Sequence, residues 1–145
     1  LARLRNLRVL SIQRNRSVKI EGREGLTPLE ELYLSNNRIS KLEGLDALVN
    51  LQVLDVTSNA IAKLEGLDAL TQLTDFWCSY NQVADYSNIH DALQHATSLE
   101  TVYFEGNPIQ LKDPTMYRTK LRLCFGDSLQ KIDALYVSTG RMGGQ

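Results

Sequence analysis

The sequence is short of cysteine, of long apolar runs and of surplus positive charge, and each shortage excludes something. Two cysteines, Cys78 and Cys124, in 145 residues cannot build the disulfide framework of a small secreted domain and point to a reducing compartment. No apolar stretch approaches the ~18 residues of a membrane-spanning helix, so no membrane contact is expected. The opening Leu1-Ala2-Arg3-Leu4-Arg5 lacks the pattern of a secretory signal. The formal net charge is −1, and no basic stripe stands out, which argues against direct contact with nucleic-acid phosphates.

Catalytic and metal chemistry is missing too. His90 and His95 are five residues apart, which on a helix is about 140° of rotation, so they do not share a face. No Cys, Asp or Glu gives them metal-ligand spacing, and both read as surface histidines. Serines, histidines and aspartates share no recognisable nucleophile context. No catalytic residue, metal or cofactor is assigned.

What the sequence has instead is repetition. Leu7-Arg8-Val9-Leu10-Ser11-Ile12-Gln13-Arg14-Asn15 recurs in pattern as the blocks starting at Leu29, Leu51, Leu73 and Leu99. All five fit L-x-x-L-x-L-x-x-N, the leucine-rich-repeat signature. Their asparagines fall at 15, 37, 59, 81 and 107, three steps of 22 and one of 26. The segments 41–48 and 63–70 are identical, KLEGLDAL, and their glycines serve the repeat's turns rather than a phosphate loop.

One such repeat cannot bury its own apolar face, so neighbours must stack. The expected fold is an α/β solenoid. Each block supplies a strand at its third to seventh positions, and the strands pair in parallel into a concave sheet. The first, fourth and sixth side chains point inward, and Cys78 at a sixth position reads as a small buried hydrophobe. The asparagine satisfies buried backbone groups at the turn. Return segments such as 61–70 are short enough for a helical turn or two, partly 3₁₀. The longer step contains Ile89, Ala92, Leu93 and Ala96, which predicts an amphipathic helix within 85–98.

The repeats span 1–109, with a less regular first block in which Ser17 stands where later blocks have a branched apolar residue. A cap over 110–137 follows. Asp113-Pro114 starts a helix whose apolar side holds Met116, Tyr117, Leu121, Leu123 and Cys124, and Gly126 ends it. Leu129, Ile132, Leu135 and Val137 complete the cover. Residues 138–145 read as a loose tail. Leu1, Leu4 and Leu7 resemble the end of an earlier return segment, so the expectation is a C-terminal piece of a longer array without an N-terminal cap.

The register assigns the outward face. Its middle column is Ser11, Tyr33, Asp55, Trp77 and Tyr103, flanked by Val9, Glu31, Val53, Asp75 and Thr101 and by Gln13, Ser35, Thr57, Ser79 and Glu105. These fifteen positions hold four carboxylates and none of the chain's 16 Lys and Arg residues. Aromatic residues dominate binding energy at protein interfaces, and the concave face of a solenoid is its usual binding surface. The candidate partner-binding residues are Asp55, Asp75, Trp77, Tyr103, Tyr33, Glu31 and Glu105, facing a surface that offers basic and apolar groups together.

Specific segments carry a resemblance. Leu73-Thr74-Asp75-Phe76-Trp77, Ser98-Leu99-Glu100-Thr101-Val102-Tyr103, Gly106-Asn107-Pro108, Tyr117-Arg118 and Gln130-Lys131-Ile132-Asp133-Ala134 resemble the C-terminal half of the leucine-rich-repeat regulatory subunits of protein phosphatase 1, the regulatory subunit 7 family. The resemblance implies a longer array of repeats and a non-catalytic, monomeric scaffold in nucleus and cytoplasm. It also implies binding to the phosphatase catalytic subunit through the concave face, with Asp55, Asp75, Trp77 and Tyr103 at contact positions. The family usually has Glu where Asp75 stands, and a Pro-containing link where Gly126-Asp127-Ser128 stands. The fold alone equally suits an adaptor of a spliceosomal ribonucleoprotein or a dynein-associated complex.

Overall fold

The structure is a computed structural model that describes residues 6–14 and 26–137. Asn15, Ser17, Leu1, Leu4 and the segment 138–145 lie outside the described residues. Five strands repeat in phase: β1 (Val9–Ser11), β2 (Glu31–Tyr33), β3 (Val53–Asp55), β4 (Asp75–Trp77) and β5 (Thr101–Tyr103). They pair in parallel, each with the next. Two short strands, β6 (Lys131–Ile132) and β7 (Leu135–Tyr136), extend the sheet to seven, β6 parallel to β5 and β7 antiparallel to β6.

Each repeat strand covers only the third to fifth positions, two residues fewer than the motif suggests. Inter-repeat bonding continues past it all the same. The sixth-position amides of Leu34, Val56 and Cys78 donate to the next coil's fifth-position carbonyl at 2.7–2.8 Å. The eighth-position amides of Asn36, Ser58 and Tyr80 donate to the next coil's seventh-position carbonyl at 2.9–3.1 Å. The eighth position explains the early end of the strand. In every block it is left-handed: Arg14, Asn36, Ser58, Tyr80 and Gly106 all have φ between 57° and 80°, a conformation that breaks the extended backbone.

The inward rows form one core. Leu32, Leu54, Phe76, Val102 and Ile132 stack in one row, and Leu34, Val56, Cys78 and Phe104 in the next, all buried. Phe76 and Phe104 pack with ring centroids 5.8 Å apart. Leu10 and Ile12 of the first coil are only partly buried. Burial raises the Cys78 thiol pKa far above its ordinary value, leaving it the inert small hydrophobe its position suggests. A fully buried Leu contributes about 1.5–3 kcal/mol, so the stacked rows supply the main stabilising term.

The asparagines fasten coil to coil. Asn59 accepts from the amides of Asn37 and Ile39, each at 2.9 Å, and donates to the carbonyls of Leu34 and Val56. Asn81 accepts from Ile61 and donates to Val56 and Cys78. Asn107 repeats the arrangement with Val83, Cys78 and Phe104. The return segments 45–51 and 67–73 are built of successive 3₁₀-type turns: Leu48 to Leu45, Leu51 to Leu48, Leu70 to Leu67 and Leu73 to Leu70. Gly66 sits at φ 70°, and a Cβ there would lie 3.1 Å from the Leu42 carbonyl of the preceding coil. The KLEG glycine therefore serves both a left-handed turn and close coil packing.

The longer return holds α1 (Tyr86–Leu93), with Asp85 as N-cap accepting from the Ser87 amide at 2.9 Å. Ile89, Leu93 and Ala96 are buried as the spacing predicts. The cap departs more from expectation. Pro108 opens a four-residue helix, α2 (Pro108–Leu111), that the motif reading did not foresee. Asp113-Pro114 lies in a turn, and the cap helix α3 begins later, at Tyr117–Arg122. Tyr117 and Leu121 are buried, but Met116, Leu123 and Leu135 are 41%, 77% and 62% exposed. Those three apolar residues do not belong to the cover: Met116 and Leu123 flank a six-residue helix that turns only one narrow stripe inward, and Leu135 lies on β7, the outermost strand. The cover is closed by Leu129 and Ile132. Among the described residues no helix is long and apolar enough to cross a membrane.

Candidate binding face

Strand register carries the predicted columns onto one surface. Tyr33, Asp55, Trp77 and Tyr103 are successive Cα partners across β2 to β5, and Glu31, Val53, Asp75 and Thr101 form the parallel column. Strands are ~4.8 Å apart, so Tyr33 and Trp77 are separated by a whole strand. Their rings nonetheless approach to 5.9 Å between centroids, tilted by 49°, by leaning toward each other over Asp55. Trp77 meets Tyr103 edge-on, at 6.1 Å and 74°. The three aromatics make one continuous strip, each pair adding about 0.5–1.5 kcal/mol beyond its buried area.

The carboxylates are held in place around that strip. Glu31 accepts from the Tyr33 hydroxyl at 2.6 Å. Asp55 accepts from the Thr57 amide at 2.9 Å, Asp75 from the Thr74 hydroxyl at 3.0 Å, and Glu105 from the Tyr80 hydroxyl at 3.2 Å. The bond to Glu31, burial and the charges of Glu31, Asp55 and Asp75 push the Tyr33 phenol up to about 12. It therefore stays neutral and a donor at any physiological pH. The two ion pairs among the described residues, Arg8–Glu30 and Lys120–Asp113, lie elsewhere, so none of the four carboxylates is paired with a cation among the described residues.

Trp77 carries a further mark. Its indole N–H is buried and has no hydrogen-bond partner among the described residues. A donor held without an acceptor costs stability and calls for an explanation other than folding.

Seven candidate residues lie on this face: Glu31, Tyr33, Asp55, Asp75, Trp77, Tyr103 and Glu105. Glu105 stands one step along from the rest, at the seventh position. The column reading missed Tyr80, which follows the strand at the eighth position and joins the face through Glu105. It also took Ser79 as open surface, whereas Ser79 is 5% exposed. His90 and His95 are exposed, and the ring Nδ1 of His90 lies 3.3 Å from the Cys124 carbonyl. Among the described residues no group of His, Cys, Asp and Glu could hold a metal ion.

The family described as Leucine Rich repeats (2 copies) matches residues 27–69. These are leucine-rich repeats. The leucine-rich-repeat chain is also similar to named relatives. One is Protein phosphatase 1 regulatory subunit SDS22 of Schizosaccharomyces pombe, 44% identical over 63 residues, 43% of this chain and 19% of that protein. Another is Protein phosphatase 1 regulatory subunit 7 of Mus musculus, 55% identical over 47 residues, 32% of this chain and 12% of that protein. The matched stretch thus spans less than a fifth of either relative. Among solved structures, the Drosophila melanogaster SNF/U2A′ complex contains a chain that superposes with a TM-score of 0.80 at 24% identity, covering 99% of this chain and 88% of that one. That likeness is one of fold. The sequence likeness to the phosphatase regulatory subunits agrees with the resemblance read from the repeats and cap.

Proposed function

We propose that this leucine-rich-repeat chain is a non-catalytic scaffold that binds the catalytic subunit of type 1 Ser/Thr protein phosphatase through its concave face. The observation that carries this is the strip Tyr33–Trp77–Tyr103, set among Asp55, Asp75 and Glu31 with no cation among the outward positions. Such a strip suits a partner surface of basic and apolar groups, with the aromatics supplying affinity and the carboxylates supplying register and encounter rate. The named relatives are regulatory subunits of that phosphatase, which selects the partner among many that would suit the chemistry. As part of the same proposal the protein works in nucleus and cytoplasm, as the family resemblance of its sequence implies.

The competing reading is an adaptor of a ribonucleoprotein, favoured by the superposition on the SNF/U2A′ complex over nearly the whole chain. At 24% identity that superposition reports the shared coil geometry. The acidic face would also repel the phosphates of a nucleic acid.

Calorimetry with the purified phosphatase catalytic subunit tests the proposal. The parent chain binds, and Trp77→Ala loses about 2 kcal/mol or more, as expected of a central aromatic anchor. Binding that survives Trp77→Ala unchanged removes the site. A parent chain that ignores the phosphatase removes the partner.

A further inference from the structure

Between the middle outward column and the eighth position lies a cleft of about 260 Å³, lined by Thr57, Trp77, Ser79, Tyr80 and Tyr103. Three of its walls are aromatic rings, and the other two residues carry small hydroxylated side chains. Its volume falls below the ~300–1,000 Å³ of small-molecule sites and suits one large side chain.

Tyr80 is the wall that the fold does not require. Its position is left-handed in every repeat, at φ 57° here. Arg14, Asn36, Ser58 and Gly106 occupy the equivalent places, and none of them is aromatic. A bulky aromatic there is disfavoured, and no burial compensates it, since Tyr80 is 55% exposed. Its ring is accommodated by the next coil: a Cβ on Gly106 would come within 2.3 Å of the Tyr80 Cδ1, so only glycine leaves the ring where it is. The hydroxyl then donates to Glu105 at 3.2 Å. The left-handed backbone belongs to every coil; what is particular to this one is an aromatic ring that stands over Gly106 and walls the cleft.

We infer that Tyr80 and Gly106 extend the concave binding face into a specificity pocket that receives one aliphatic side chain of the protein partner, from a segment with Arg or Lys beside it. The aromatic walls select the apolar group. Glu105 at the rim and Asp55 across the strip, with no cation among the outward positions, select the basic neighbour. The inference rests on the concave-face reading and adds a residue and a subsite to it.

Two measurements separate the fate of the pocket from that of the partner. In the first, Tyr80→Ala, Tyr80→Phe and Trp77→Ala are titrated with the phosphatase catalytic subunit. Tyr80→Ala weakens binding at least about fivefold, the scale of a contributing interface residue, while Tyr80→Phe, which keeps the ring, stays near the parent. In the second, acetyl-leucyl-arginine amide and acetyl-seryl-arginine amide are titrated against the parent chain and Tyr80→Ala. Emission from Trp77, the chain's single tryptophan, is the readout. The leucyl peptide alone perturbs the parent, and Tyr80→Ala abolishes the response. If the phosphatase binds and Trp77→Ala weakens it while Tyr80→Ala does not, the pocket is overturned and the concave-face reading stands. If the phosphatase does not bind at all, the peptides decide: a leucine-selective, Tyr80-dependent response keeps the pocket, and its absence overturns it.

Discussion

Asn81 makes the point of the architecture at the scale of one residue. Its amide accepts from one coil's backbone and donates to two carbonyls, and it is 2% exposed. Replacing it by alanine strands the Ile61 N–H where water does not reach, while the Val56 and Cys78 carbonyls keep the bonds from Asn59 and Asn107. A buried donor left without a partner costs about 1–3 kcal/mol, so Asn81→Ala should lower stability by about 2 kcal/mol in urea unfolding. A loss under about 1 kcal/mol would mean that the neighbouring backbone finds other partners. This role was legible before any coordinates, because the asparagine recurs at a fixed offset from the leucines. Tyr80 was not legible. Its side chain follows no column, and only the coordinates show its ring lying over Gly106 and lining the cleft.

Among elements, the cap shows how a solenoid ends its sheet. Within the array, a sixth-position amide donates to the fifth-position carbonyl of the next coil. After β5 the Asp133 side chain takes the place of that carbonyl. One carboxylate oxygen accepts from the amides of Phe104 at 2.9 Å and Glu105 at 3.2 Å, and the other from the Tyr117 hydroxyl at 2.7 Å. Asp133 does this from the turn between β6 and β7, where it and Ala134 are left-handed. Asp133→Ala should cost about 2 kcal/mol and speed hydrogen exchange at the Phe104 and Glu105 amides first. Uniform exchange across all coils would contradict a local capping role. In the cap the sequence reading misassigned Met116, Leu123 and Leu135 to the buried side, and the reason is physical. Repeats fix the inward face by recurrence. The cap occurs once, so nothing but its own short helix sets which side is buried.

At the scale of the whole molecule, charge is sorted by face. The outward strand positions keep four carboxylates and no cation, although the chain's total charge is only −1. An oppositely charged partner is drawn to such a face over about a Debye length, ~8 Å at physiological salt. The association rate with the phosphatase catalytic subunit should therefore fall as salt rises, with the dissociation rate changing much less. Stopped-flow mixing across a salt series checks this, and a salt-independent association rate would leave the carboxylates with a positional role alone.

The strand register has one further consequence. Cα partners are 22 residues apart between β1, β2, β3 and β4, then 26 apart between β4 and β5 and 30 apart between β5 and β6. The additional residues are taken up entirely on the back of the molecule, by α1 and by the cap, and the strands stay in step. The front is thus insulated from insertions at the rear. Such a protein can gain loops, helices or appended modules on one side across evolutionary time, and the spacing of the side chains that greet a partner on the other is unchanged.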